Sequence, residues 1–284
     1  MNKSKETLMV SNQPRPFLKW AGGKKQMLKQ YNLFFPKEFK NYIEPFVGAG
    51  AVFFHFLDMD YLASNKHILL IDTNDELINC YQVIQEDSDR LISVLSSLKY
   101  SNDKDVFYKI RSENPEDRFE RAARTIYLNR TCFNGLYRVN SKREFNVPFG
   151  KYKNPQICDS ENLSAIHLAL SGINIVCDDF AKCLDFAGEN DFIYFDPPYQ
   201  PLSKTSNFTS YTKNSFNEEQ QFRLSRVFEK LDHKGCKIMM SNSDTALIRE
   251  LYDKFRIEVV YASRAISCKA EGRGKINELV IMNY

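Results

Sequence analysis

Short apolar runs alternate along this chain with segments whose apolar residues recur every three or four positions. Seven runs read as strands: Tyr42–Phe46, Ile68–Ile71, Ile173–Cys177, Phe192–Phe195, Lys237–Ser241, Ile257–Tyr261 and Leu279–Met282. Seven stretches carry a helical pattern: Lys24–Phe34, Glu76–Ile84, Arg90–Leu98, Glu120–Arg130, Leu163–Leu170, Glu218–Leu231 and Asp244–Leu251. Alternation of this kind predicts βαβ units around a parallel sheet, an α/β fold. The strand-like runs lie towards the two ends. Between residues 87 and 171 the text is mostly helical, with one hairpin pattern whose arms are Leu136–Val139 and Glu144–Val147. The expected organisation is a polar leader over 1–15, a sheet domain assembled from 16–86 and 172–284, and an inserted domain over 87–171. The Ser-, Thr- and Asn-rich stretch Pro201–Asn217 reads as a long loop of functional length.

Composition narrows the class. Apolar residues make up 43% of 284, enough to bury a core, and charged residues 26%. No run approaches the roughly 18 apolar residues that a membrane helix requires, and residues 1–15 lack the apolar core of a signal peptide. A cytoplasmic protein is expected. Seven cysteines with no Cys-x-x-Cys pair argue for reduced thiols rather than a disulfide framework or a zinc site, so no metal is expected. The net charge is only +3, but Arg121 to Lys153 holds eight basic residues against Glu144 alone, a local +7. A basic block in a balanced chain suits a surface that meets a polyanion; a merely solvated face accounts for the count equally well.

Four short motifs carry chemistry. Glu44-Pro45-Phe46-Val47-Gly48-Ala49-Gly50 joins a strand to a helical Ala51–Leu57. Its glycines let a ligand approach the backbone beside a helix N-terminus. Phe53 occupies the position of a third dinucleotide-type glycine, which weakens a nicotinamide reading. Asp72 lies 24 residues beyond Gly48 at the next strand end, placed to grip ribose hydroxyls. Trp20-Ala21-Gly22-Gly23-Lys24-Lys25 is not a phosphate loop, since no Ser or Thr follows the lysine; it presents Lys24 to a carboxylate or starts a helix. Cys177-Asp178-Asp179-Phe180 ends another strand with an acid and an aromatic, suited either to an adenine ring or to helix capping.

Asp196-Pro197-Pro198-Tyr199 follows the apolar run Phe192–Phe195 and is the most specific of the motifs. It places a carboxylate at the carboxyl edge of the sheet, where open α/β folds bind ligands. The prolines fix φ and donate no N–H, so the turn is stiff and presents carbonyls. An exocyclic base amine is a poor nucleophile because its lone pair is delocalised. A carboxylate and a carbonyl accepting its two hydrogens localise that pair, while an aromatic ring stacks on the base. Rate then comes from alignment and preorganised charge, with no metal.

In this order, and over nearly all of Pro16 to Tyr284, the segments resemble the Dam-type DNA adenine-N6 methyltransferases, in detail the GATC-modifying members of restriction–modification systems. The match runs through Phe17–Lys24, Phe46–Gly50 and Asp196–Tyr199. It also runs through the insert motif Phe133-Asn134-Gly135-Leu136-Tyr137-Arg138 to Phe145-Asn146-Val147-Pro148-Phe149-Gly150. Ala49, where relatives often have glycine, is a departure. The resemblance implies a Rossmann-like seven-stranded methyltransferase sheet with an inserted, mostly helical target-recognition domain. It implies S-adenosylmethionine as cofactor and double-stranded DNA as partner. It assigns Trp20, Lys24, Phe46, Gly48, Gly50, Asp72, Asp179, Phe180 and Asp196 to the cofactor and Asp196, Pro197, Pro198 and Tyr199 to catalysis. Lys19, Arg130, Phe133, Asn134, Leu136, Arg138, Pro148 and Lys151 fall to DNA. A monomer is expected, with a cognate restriction endonuclease as functional partner. An RNA adenine-N6 methyltransferase is the alternative activity; a catalytically dead DNA-binding module and a nicotinamide-dependent oxidoreductase are the alternatives of other classes.

Overall fold

A computed structural model describes residues 13–62, 66–202, 216–263 and 275–284. Most of the expected leader (1–12) and of the expected long loop (203–215) lies outside the described residues.

The seven expected strands form one sheet: β1 Tyr42–Pro45, β2 Ile68–Asp72, β3 Asn174–Cys177, β4 Phe192–Phe195, β5 Lys237–Ser243, β6 Arg256–Ser263 and β7 Lys275–Met282. Their order is β3-β2-β1-β4-β5-β7-β6. The pairs from β3 to β5 are parallel, whereas β7 runs antiparallel to both β5 and β6. Register is set centrally by Tyr42 opposite Ile68 on one side and Phe192 on the other. The chain therefore leaves β1 in one direction and returns to its other side at β4. That reversal opens a crevice beyond the carboxyl ends of β1 and β4, where Pro45 and Phe195 sit.

Both faces of the sheet are covered, which explains why the central strands are largely apolar, β4 at every position. In β4, Phe192 and Tyr194 join one buried cluster and Ile193 and Phe195 the other. The second cluster is completed by α9 (Glu218–His233), with α8 (Cys183–Phe186) and α10 (Ala246–Leu251) beside it. The Asn217 side chain accepts from the Gln220 N–H to start α9, and Glu218 and Glu219 occupy its first turn. The first cluster joins α2 (Ala51–Asp58) and α3 (Asp75–Glu86) to the helices of the 87–171 segment: α4 (Ser88–Leu95), α5 (Lys104–Ser112), α6 (Arg118–Thr131) and α7 (Ser160–Ala169). α6 lies along α3, and Phe107, Phe119, Ile126 and Tyr127 share one buried cluster with Leu77 and Tyr81.

Two elements differ from expectation. The Lys24–Phe34 pattern is one turn of 3-10 helix, Lys24–Gln26, and a short α1, Leu28–Tyr31. The expected hairpin reverses the chain but pairs only as a bridge between Val139 and Phe145, with Arg143 at φ 63° in the turn.

Candidate active site and DNA face

Beyond the carboxyl ends of β1, β2 and β4 lies a cavity of about 1210 Å³. It reaches from Asp72 at one end to Asp196 and Tyr199 at the other, past Trp20, Lys24, Phe46 and Gly48. Its floor is the turn after β1. Gly48 and Gly50 adopt φ 50° and 71°, and a Cβ on Gly50 would stand 2.7 Å from the Tyr81 hydroxyl, so that position admits only glycine. Gly48 donates its N–H to Asp72 Oδ2 (3.1 Å), and its carbonyl accepts from Tyr81 (3.1 Å). Asp72 Oδ1 accepts from the Asn74 N–H (2.9 Å). Burial pushes the Asp72 carboxyl above its ordinary range against these donors.

At the other end the sheet delivers Asp196 into a fixed frame. Its Oδ1 accepts from the Ser241 hydroxyl (2.9 Å) and pairs with the Lys24 ammonium (2.9 Å). Lys24 is buried, held also by the Gly22 carbonyl (2.8 Å), and lies 4.6 Å from the centre of the Tyr199 ring. Lys24 is thus engaged with the turn after β4, 172 positions away in sequence. Tyr199 donates to Glu278 Oε2 on β7 (2.9 Å). The Pro198 carbonyl accepts from Gln221 Nε2 (3.0 Å), and Gln221 in turn accepts from the Asn242 amide (3.1 Å). Asp196 Oδ2 and the Pro197 carbonyl have no bonded partner among the described residues. Two acceptors are thus left open on a braced loop.

Phe46 and Phe180 stack on each other at 5.2 Å, with Phe216 edge-on to Phe46 at 5.5 Å. Asp179 is held by both guanidinium nitrogens of Arg223, which lies over the Phe180 ring. The arginine keeps the Asp179 carboxyl below its ordinary range against its burial. Sequence reading gave no role to Arg223, Glu278, Ser241 or Glu44, all placed at or beside the cavity by elements far apart in the chain. Glu44 carried a signal: it is an acid within an apolar strand.

The residues expected at DNA divide into two groups. Lys19, Phe133, Asn134, Leu136, Arg138, Pro148 and Lys151 are exposed. Phe133 donates its N–H to the Pro148 carbonyl (2.8 Å), which brings the two insert motifs together. Arg138 lies back on Asn146, at 2.7 Å from its Oδ1. Arg130 instead turns inward: it donates to the Phe17 carbonyl (2.7 Å) and its Nε is buried without a partner. Arg121 pairs with Glu76, and Arg124 donates to the carbonyls of Ile110 and Arg111. The +7 block is therefore not one surface. Its three helical arginines brace the insert, and Arg138, Lys142, Arg143, Lys151 and Lys153 remain exposed.

Among the described residues no group of His, Cys, Asp and Glu has the arrangement to hold a metal ion, and no helix is long and apolar enough to cross a membrane. Residues 20–266 match the family described as D12 class N6 adenine-specific DNA methyltransferase. The chain is 46% identical over 289 residues to the type II methyltransferase M.MjaIII of Methanocaldococcus jannaschii, covering 95% of this chain and 99% of the relative. It is 44% identical to the type II methyltransferase M1.LlaDCHI of Lactococcus lactis, covering 95% of each. It is 38% identical to the DNA adenine methylase of Escherichia coli K12, covering 94% of this chain and 95% of that one. With a cavity ending at a braced Asp-Pro-Pro-Tyr turn and a family match over nearly its whole length, this chain belongs to the D12 class N6 adenine-specific DNA methyltransferases.

Proposed function

We propose that this enzyme methylates the adenine of GATC in duplex DNA, taking the methyl group from S-adenosylmethionine and flipping the adenine out of the helix. The observation that carries this reading is the continuous cavity between Asp72 and Asp196. Its volume suits a nucleoside-sized cofactor together with an extruded base. When bound, S-adenosylmethionine supplies an electrophilic methyl group. Asp72 would hold the ribose hydroxyls, Phe46, Phe180 and Asp179 the adenine, and Lys24, in the same cavity, would contact the cofactor. Asp196 Oδ2 and the Pro197 carbonyl accept the two hydrogens of the target amine, and Tyr199 stacks on its ring.

An adenine inside a duplex cannot reach Asp196, and extruding it costs a few kcal/mol. Phe133, exposed at the tip of a tight turn, is the wedge that fills the gap. The exposed lysines and arginines of the hairpin region grip phosphates without reading sequence. Guanine presents two acceptors in the major groove, which a single guanidinium matches; Arg138 reads one guanine and Lys19 the other, while Leu136 and Pro148 meet the thymine methyl. Asn134 positions the backbone beside them. The RNA alternative has no support in a family defined by DNA. The enzyme is read as acting in the cytoplasm as a monomer, alongside a cognate restriction endonuclease.

Sequencing of DNA modified by the purified protein reads base and context together; methylation centred on another site removes the GATC assignment. In the same assay Arg138→Ala relaxes discrimination at one guanine position by about 1–3 kcal/mol. Equal slowing on every sequence would instead make Arg138 a phosphate contact. For the cofactor, Asp72→Ala weakens S-adenosylmethionine binding by roughly 1.5–3 kcal/mol, the scale of a charged hydrogen bond. Calorimetry checks this, and unaltered affinity places the ribose elsewhere.

A further inference from the structure

The chain enters the cavity through residues 17–24, and the same segment is tied to the proposed wedge by one side chain. Asn129, on α6, is fully buried. Its Oδ1 accepts the Lys19 N–H (2.8 Å), and its Nδ2 donates both to the Lys19 carbonyl (2.8 Å) and to the Gly135 carbonyl (2.9 Å). The amide thus pairs with Lys19 as a neighbouring strand does, and uses its remaining hydrogen on the turn that carries Phe133.

Lys19 and Gly135 are also in direct contact. Gly135 adopts φ 62°, and a Cβ there would stand 2.3 Å from the Lys19 Cδ, so the lysine stem lies in the space a side chain would take. The Lys19 ammonium ends 4.6 Å from the Tyr152 ring centre, and the next residue, Trp20, stacks on Tyr137 at 5.1 Å. Arg130 holds Phe17 from the same helix. Segments more than a hundred residues apart are therefore closed against each other around one amide.

We infer that Asn129 is a specificity-determining positioning residue, which fixes the offset between the Lys19 ammonium and the Phe133 wedge so that base reading and wedge insertion occur as one docking event. This rests on the reading of Lys19 as a guanine contact and Phe133 as the wedge. The physical reason is register. A lysine on its own reaches over several ångströms and accepts any nearby acceptor. Held at both of its peptide groups and along its stem, it reaches a guanine only when the wedge stands at the neighbouring step.

The test compares Asn129→Leu, which keeps the volume and removes every hydrogen bond, with Lys19→Ala and the double variant. Methylation rates are measured on GATC duplexes and their single-base variants, and brightening of a fluorescent base analogue at the target position is followed in parallel. Asn129→Leu is expected to lose discrimination about tenfold or more, the scale of one base contact, at the same guanine that Lys19→Ala relaxes. It should also weaken the brightening on the cognate site. The double variant should discriminate no worse than Lys19→Ala alone. Gly135→Ala, which displaces the lysine stem from the other side, should give the same pattern and serves where Asn129→Leu does not fold. Equal slowing on all sequences, or losses that multiply in the double variant, leave Asn129 a purely structural residue and overturn the inference. Discrimination that Lys19→Ala itself leaves intact removes the underlying reading of Lys19, and the inference with it.

Discussion

Replacing Asp196 by Asn is expected to slow the methyl-transfer step by about 10²–10³-fold or more, the scale of one preorganised polar contact to the reacting group. The amide keeps the volume and still offers one oxygen to the Ser241 hydroxyl and to the Lys24 ammonium, which meet at Oδ1. What changes is the other position. There an NH2 replaces the open Oδ2 and faces the target amine donor to donor, so the amine loses the acceptor that localises its lone pair. Asp196→Ala has the same expected direction but is a coarser test. Both variants remove the counter-charge of the buried Lys24 ammonium, but alanine also takes away its oxygen contact and leaves only the Gly22 carbonyl. Single-turnover rates with saturating DNA and cofactor isolate the step. A folded Asp196→Asn enzyme that turns over near the wild-type rate ends the role assigned to this residue.

How much of this was legible in the sequence follows from how far apart the cooperating residues lie. The strands were, because each is a short, largely apolar run closed by a turn signal, and the place of Asp196 to Tyr199 at the cavity was, because a turn directly after a strand stands at the carboxyl edge of the sheet. The antiparallel entry of β7 between β5 and β6 has no local signature; it depends on pairing such as Met240 with Ile281. α5 was missed because Lys104, Asp105, Lys109 and Arg111 leave only Phe107 and Ile110 to bury, although the Asp103 side chain caps it. The Lys24–Phe34 helix was over-read: the spacing is helical, but Met27, Tyr31 and Phe35 are drawn into the core by tertiary packing over barely one turn of α-helix. Within the site, the Lys24–Asp196 pair, the Tyr199–Glu278 hydrogen bond and the hold of Asn129 on Lys19 each join elements far apart in the chain. The inward turn of Arg130 was not legible, because a charge count records how many cations a segment holds, not which way they face.

Glu44 carries the other large expected effect, and it bears on stability. It stands fully inside β1 beside the cavity, with the Tyr42 hydroxyl donating to its Oε2 at 2.8 Å. Burial, with the nearby Asp196 carboxylate adding to it, pushes its carboxyl up from 4.5 to about 8, against the hydrogen bonds from Tyr42 and the Phe53 N–H. The folded protein therefore holds a proton at neutral pH that the unfolded chain releases. Stability from this group is fully present below the unfolded value of 4.5 and is lost as pH rises through the folded value near 8. Glu44→Gln keeps the volume and an acceptor for Tyr42 without the titration. It is expected to stabilise the protein at pH 8 by on the order of 4 kcal/mol, and to change little at pH 4.5. Asp72, also raised by burial, gives both proteins a slope of the same sign, and His55, whose burial lowers its pKa, gives one of opposite sign below about pH 6.5. The difference between wild type and variant removes both and leaves Glu44. Urea unfolding of the two proteins at pH 5, 6.5 and 8 measures it, and stability curves that run parallel across that range would show that Glu44 is ionised in the folded state.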